Sequence, residues 1–321
     1  MSGCELFGYL LVHFVEDPAG HAEKVYFSLS EGDDPLRWRR LNGGQPVLES
    51  LVGTTGVRDP FLVRRSDGLG FHILATDLRV WASDKPPNWD ELSRHGSRDL
   101  VVWDSADLLS WSGPRLVTVA PPTFGMAWAP TVDVDKETGE YLVLFSAKVF
   151  DDDDRDHRGA VDASVHLVRT RDMLTFSEPA EYMAVPGGVI DLVTVQDGDR
   201  VHVLAKHEAG GPDTMSVFHQ IRADFDDADA PIAAERVGAP FGTGMEGPLV
   251  FHAHQGQYWY LWVDQYGREP HGFRALRTRD LSSATWQPVP EEEFQIPHST
   301  KHGSVLSLTR EEHEALLERF G

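Results

Sequence analysis

One pattern limits the folds open to this chain more than any other: a short strand opener that returns five times. The openers are Asp59-Pro60-Phe61-Leu62-Val63, Ala129-Pro130-Thr131-Val132, Ile190-Asp191-Leu192-Val193, Glu246-Gly247-Pro248-Leu249-Val250 and His302-Gly303-Ser304-Val305-Leu306. Counted from Asp59, Ala129, Asp191, Glu246 and His302, the steps are 70, 62, 55 and 56 residues. Between them lie runs of β-branched and aromatic residues bounded by Gly, Pro, Asp and Asn, which is strand-and-turn chemistry. An outer turn recurs too, at Asp107-Leu108 before Trp111, Asp172-Met173 before Phe176 and Asp280-Leu281 before Trp286, with a weaker copy at Asp34-Pro35 before Trp38.

Repeats of this kind, each able to form a four-stranded sheet, predict a β-propeller. Four complete units follow residue 57. The fifth opener is followed only by a helix predicted over 309–320, where Thr309 and Glu312 read as a capping box. The three strands it lacks stand at the other end, at 8–14, 24–30 and 38–42. The expectation is therefore an all-β, five-bladed propeller formed by residues 1–321 as a single domain. Its last blade would be shared by the two termini, with a short C-terminal helix after it. Closing the ring removes sheet edges that would otherwise pair with other chains. A two-layer β-sandwich is the competing fold, and the regular step argues against it.

Composition narrows the partners. With 29 Lys and Arg against 51 Asp and Glu, the formal charge is −22. That field repels phosphate backbones and anionic lipid, so neither nucleic acid nor membrane is expected as a partner. A neutral sugar meets no such penalty. Cys4 is the one cysteine, so no intramolecular disulfide can form. Residues 1–11 lack the basic start and apolar run of a secretory signal, and no stretch approaches the roughly 18–20 apolar residues of a membrane helix. A reduced, cytoplasmic protein is the expected setting.

In a propeller the innermost strands line a central channel and their first residues converge at one mouth. Three openers bring a carboxylate there: Asp59, Asp191 and Glu246. Buried at the start of apolar strands, such charges are costly unless paired, bonded or used. Taken singly they read as turn caps. Three at equivalent positions suggest acid–base cleavage of a glycosidic bond, in which one group protonates the leaving oxygen, one activates water and a third adjusts the first.

The ordered set Arg58-Asp59-Pro60, Trp128-Ala129-Pro130, Ile190-Asp191, Glu246-Gly247-Pro248 and His302-Gly303-Ser304 resembles glycoside hydrolase family 43 over nearly the whole chain. Supporting pieces are Ala75-Thr76-Asp77-Leu78, the run from Val102 to Leu108 with Trp111, and Val263-Asp264-Gln265-Tyr266. The resemblance implies a five-bladed hydrolase of arabinosides or xylosides that inverts the anomeric centre. It places the general base on Asp59, the pKa-modulating acid on Asp191 and the general acid on Glu246. Asp191 would then raise Glu246 and keep its proton available. Inversion would set the carboxyls of Asp59 and Glu246 about 6.5–9.5 Å apart. The family's equivalent of His302 often faces a hydrated calcium ion in the channel; a hydrogen-bonding histidine is the other reading. Any such calcium would be structural or electrostatic, since inverting acid–base hydrolysis needs no Lewis acid and no cofactor is required.

Four further residues are candidates for holding the sugar: Trp128 as a stacking platform, Trp81 and Phe124 as pocket walls, and Arg274 as a donor to hydroxyls. Core packing is the plainer role for Trp128, and a rim salt bridge for Arg274. The loops 79–98 and 150–158 are expected to wall in the mouth, which favours release of a terminal sugar from an oligosaccharide over cleavage within a polymer. Asp17-Pro18 reads as a turn away from the channel. Asp152, Asp154 and Asp156 alternate as in a calcium loop, but His157 replaces its sharp-turn glycine and Ala163 its bidentate glutamate. His252 and His254 share a strand face without a third ligand and read as packing residues. Two other functions stay open: a non-catalytic sugar-binding propeller, and a retaining fructan-type hydrolase. The Asn-Asp-Pro and Glu-Cys elements of the latter are missing.

Overall fold

The structure is a computed structural model that describes residues 5–16, 21–81, 86–211, 215–227, 229–267, 269 and 271–321. Cys4 and the Asp17-Pro18 turn lie outside the described residues. Three strands open the chain: β1 (Leu6–Val15), β2 (Tyr26–Glu31) and β3 (Asp34–Arg40). The first complete sheet is β4 (Val57–Arg64), β5 (Phe71–Asp77), β6 (Asp99–Ser105) and β7 (Arg115–Thr118), with the six-residue helix α1 (Trp89–Arg94) between β5 and β6. The second is β8 (Trp128–Val134), β9 (Tyr141–Lys148), β10 (Ala163–Thr170) and β11 (Ala180–Met183). The third is β12 (Val189–Asp197), β13 (Arg200–His207), β14 (Ser216–Arg222) and β15 (Ile232–Ala234). The fourth is β16 (Met245–His252), β17 (Trp259–Gln265), β18 (Gly272–Thr278) and β19 (Gln287–Pro288). The chain ends in β20 (Thr300–Thr309) and α2 (Arg310–Phe320), whose capping box joins Thr309 to Glu312.

Among the described residues there are five four-stranded antiparallel sheets, and one of them runs β20-β1-β2-β3. The termini therefore share a blade, as the missing strands required. Strand alternation explains why the blades stack. Leu10 and Val12 on β1 face Leu62, Ile73 and Trp103 of the first complete blade. Tyr9 and Leu11 point the other way, onto Leu249, Phe251 and Trp262 of the fourth. The second strand of each blade (β1, β5, β9, β13 and β17) is buried on both faces along most of its length, whereas the outermost strands are partly exposed. Arg64 adds a bidentate pair with Glu312 that ties the first complete blade to the final helix.

The outer turns follow from side-chain chemistry. Asp107 accepts from the backbone of Leu109 and Ser110, Asp172 from Leu174 and Thr175, and Asp280 from Ser282. Such Asx contacts replace backbone hydrogen bonds at the rim. Helix α1 has no periodic signal long enough to be foreseen; it exists because Asn88 caps it, Asp90 and Glu91 stand in its first turn and Arg94 in its last.

Each innermost strand opens with a β-bulge. The pairing slips between Arg58 and Phe61, Trp128 and Thr131, Ile190 and Val193, and Glu246 and Leu249. The inserted residues Asp59, Ala129, Asp191 and Gly247 have φ of 50, 48, 55 and 50°, in the left-handed region. Glycine is the cheapest occupant, and Asp tolerates this geometry better than most. Proline follows at 60, 130 and 248, where the broken ladder asks for no N–H. The equivalent of Asp59 and Asp191 is therefore Gly247. Glu246 stands one place earlier, beside Arg58, Trp128 and Ile190. On β20 the slip leaves His302 as the extra residue, preceded by Lys301.

Candidate active site

The bulges turn side chains at the start of every inner strand toward the channel mouth, where a cavity of about 540 Å³ opens. Asp59, Asp191, Glu246, Lys301 and His302 all line it. His302 is at the centre. Its Nδ1 lies 2.9 Å from Oδ1 of Asp59. Its buried Nε2 has no hydrogen-bond partner among the described residues and lies 3.6 Å from Asp191, 3.9 Å from Glu246 and 4.0 Å from Asp264. The ring lies so close to β16 that a side chain at Gly247 would collide with it. Gly247 is thus required twice, by its backbone angle and by this contact.

Each carboxylate has its own partners. Asp59 accepts at Oδ2 from the hydroxyl of Thr76, 2.8 Å away, and that same hydroxyl accepts from the backbone of Ala129. Asp191 accepts from the backbone N–H of Gly247 at 3.2 Å. Glu246 accepts from Lys206 Nζ at 3.0 Å. Lys301, almost wholly buried, pairs with the fully buried Asp264 at 3.0 Å and lies 3.6 Å from Glu16. Arg58 pairs with Glu23 at 3.2 Å, and Glu23 also accepts from the backbone of Val80 and Trp81. That last contact fixes the entry of loop 79–98 over the cavity.

The charges decide which groups hold protons. For His302 burial alone would lower the pKa, but Asp191 and Asp59 outweigh it and lift it to about 9, so the ring is a cation at neutral pH. Burial works against the ionised form of Asp59 as well. The hydrogen bond and charge of His302, then Arg58 and Thr76, prevail and hold it below the usual range. Burial raises Asp191 to about 6. Glu246 is also pushed up by burial, but Lys206, His302 and Lys301 hold it down at about 2. The expected order is reversed: below a pH of about 6 the proton of the Asp191–Glu246 pair rests on Asp191, because burial raises that group while a lysine stands against Glu246.

A family described as a probable glycosyl hydrolase domain, related to glycoside hydrolase family 43, matches residues 5–314. The chain belongs to that family. It is 32% identical over 216 residues to a curated α-L-arabinofuranosidase of Bifidobacterium longum, a match that covers 64% of this chain and 20% of that protein. The chain thus spans about a fifth of that relative's length. Two solved structures share the fold. An α-L-arabinanase of Penicillium chrysogenum, solved with arabinobiose, has a TM-score of 0.57 at 16% identity, covering 95% of this chain and 83% of that one. A thermostable family-43 glycoside hydrolase has a TM-score of 0.54 at 14% identity, covering 80% and 81%.

For this family-43 relative, the structure gathers Asp59, Asp191, Glu246 and His302 as the repeat required. Trp128 and Trp81 line the cavity, and Trp81 donates its Nε1 to Glu16 at 3.3 Å. Phe124 does not line it. It is buried between blades against Phe145 and His166, because the segment before β8 bridges to Val149 and turns its ring inward. Arg274 also falls outside the lining, since β18 is the third strand outward and pairs through Arg274 with Val263. The loop 150–158 buttresses rather than walls: Arg94 of α1 donates to the carbonyls of His157 and Gly159. His252 packs on Trp259, and His254 stacks on Tyr9 and bonds Asp33, as packing residues do.

Calcium does not suit the donor set at the centre. One ligand atom each of Asp191, Glu246 and His302 gather within 4.8 Å of one another. Calcium takes about 6–8 oxygens, whereas here one imidazole nitrogen and two carboxylates gather, and Lys206 already pairs with Glu246. Lys206 and Lys301 were missed in the sequence. Lys301 carried a signal, since it precedes His302 as Arg58 precedes Asp59. Lys206, one charge at the end of an apolar strand, carried none.

Proposed function

We propose that the chain is an exo-acting, inverting glycoside hydrolase that releases a terminal α-L-arabinofuranosyl residue from arabinose-containing oligosaccharides. One observation carries this reading: Asp59 and the Asp191–Glu246 pair stand on different sides of the His302 ring, at the floor of a tryptophan-lined cavity. Water held by Asp59 attacks the anomeric carbon and gives Asp59 its proton. The C–O bond breaks, and the leaving oxygen takes a proton from Glu246, which draws on the one proton it shares with Asp191. The imidazole between the two sides keeps the carboxyls apart, as a route with an intervening water needs. The name of the bifidobacterial relative supports arabinofuranose over xylose, and the walls raised by Trp81, Pro87 and Trp89 support removal of terminal units. Lys206, Lys301 and His302 supply the positive charge a metal would bring, so chelators should leave turnover unchanged.

Hydrolysis of matched α-L-arabinofuranosides and β-D-xylopyranosides, followed by NMR from the first turnover, tests the reading. The expected result is faster arabinoside cleavage with β-arabinofuranose as the first product. A retained configuration would point to the double-displacement route. Binding without cleavage would point to a sugar-binding propeller.

The electrostatics predict an acidic working range. Asp59 has to be ionised and the pair has to hold its proton, so kcat/KM should fall as pH rises through about 6, where Asp191 lets go. Lys206→Met removes the cation that most favours ionised Glu246. It should move this alkaline limb upward by about 1–3 pH units. A limb that stays in place on substitution would remove Lys206 from the account.

A further inference from the structure

We propose that Trp89 forms a second sugar-binding platform, on the leaving-group side of the cleaved bond, and that it selects glycosyl leaving groups. The proposal rests on the hydrolase reading above and adds to it where the rest of the substrate lies. Trp89 is 46% exposed and is the one exposed large aromatic among the described residues that line the cavity. An indole so placed is costly to leave in water, and this one is also held in place. Its ring stands edge-on to Trp128, with centroids 6.2 Å apart and planes at 80°. The guanidinium of Arg58, fixed by Glu23, lies 5.6 Å from its centre.

The backbone beneath it is equally fixed. Arg94 pairs with Asp90 at 2.8 Å and donates to the carbonyls of His157 and Gly159. His157 returns a bond from Nδ1 to the carbonyl of Arg94 at 2.6 Å. The His157 ring in turn stacks 4.3 Å from Phe150. A two-turn helix would fray without such support; with it, the rim presents a rigid aromatic face, the kind of surface that binds at low entropic cost.

Two tryptophans at right angles fit two sugar rings that are not coplanar. Trp128 is half-buried and directly precedes the bulge of β8, so it faces the unit held over the carboxylates. Trp89 stands farther out and meets the next unit through its apolar C–H face. The glycosidic bond then falls at the corner between the two, where Glu246 can reach its oxygen. Stacking on Trp89 needs no charge, which suits neutral sugars.

The test compares wild type, Trp89→Ala and Trp89→Phe on two substrates: an arabinofuranosyl oligosaccharide, and α-L-arabinofuranosyl fluoride, whose leaving group cannot reach the rim. Trp89→Ala is expected to lower kcat/KM on the oligosaccharide by about tenfold or more, mainly through KM, and to leave the fluoride within about twofold. Trp89→Phe should recover most of the loss. Equal losses on both substrates would show that Trp89 merely shapes the inner site, and no loss on the oligosaccharide would show that nothing stacks there; either overturns the proposal. Wild type inert toward both substrates would instead overturn the hydrolase reading, and the subsite with it.

Discussion

Replacing Glu246 by glutamine is expected to lower kcat on an arabinofuranosyl oligosaccharide by about 10²–10⁴-fold, the usual contribution of a general acid. The amide keeps the shape and can still accept from Lys206 through its oxygen, so the sugar should bind nearly as before. What it cannot do is give up a proton to the leaving oxygen. The loss should therefore depend on the leaving group: large for a sugar alcohol, small for fluoride or a dinitrophenolate, which leave without protonation. Steady-state kinetics on such a series, with sugar binding by calorimetry, checks both parts. Asp191→Asn belongs beside it, because Asp191 carries the resting proton and also lines the cavity. A leaving-group dependence that appears in Asp191→Asn and not in Glu246→Gln would exchange their roles.

Asp59→Ala should cost a similar factor of about 10²–10⁴, with a different signature. The base activates water whatever leaves, so oligosaccharide and fluoride should both suffer. A small anion needs no deprotonation and fits the space vacated by the carboxyl. Azide should restore turnover of the fluoride and yield the inverted glycosyl azide, identifiable by mass and NMR. The substitution also strips His302 of its nearest carboxylate, so the imidazole should titrate lower, a change that NMR of the ring reports. Turnover that survives in Asp59→Ala without azide would place the base elsewhere.

How far the sequence could be read depended on the scale of the signal. The fold was legible because openers repeat along the chain and the missing strands of the fifth unit could be found at the other terminus. The gathering of Asp59, Asp191, Glu246 and His302 followed from that geometry alone. Finer placement did not. A bulge of one residue moved Glu246 out of step with Asp59 and Asp191, because Gly247 occupies the left-handed position. Phe124 and Arg274 were misplaced for a related reason, since which way a side chain points from a rim segment or a third strand depends on register that no repeat specifies. The proton balance was hardest to foresee. It turns on Lys206, brought to 3.0 Å from Glu246 by the pairing of β13 in the next blade, a contact between residues 40 positions apart.

The bulges have a consequence for how such a centre can change. Three inner strands offer two consecutive side chains to one mouth, Arg58 with Asp59, Ile190 with Asp191 and Lys301 with His302, while β8 and β16 offer Trp128 and Glu246 beside the small bulge residues Ala129 and Gly247. A cation beside an acid can be rewritten one position at a time while the blade behind them stays as it was, whereas Glu246 is tied to a neighbour, Gly247, that admits no side chain. The mouth can thus be altered without touching the packing that keeps the ring closed.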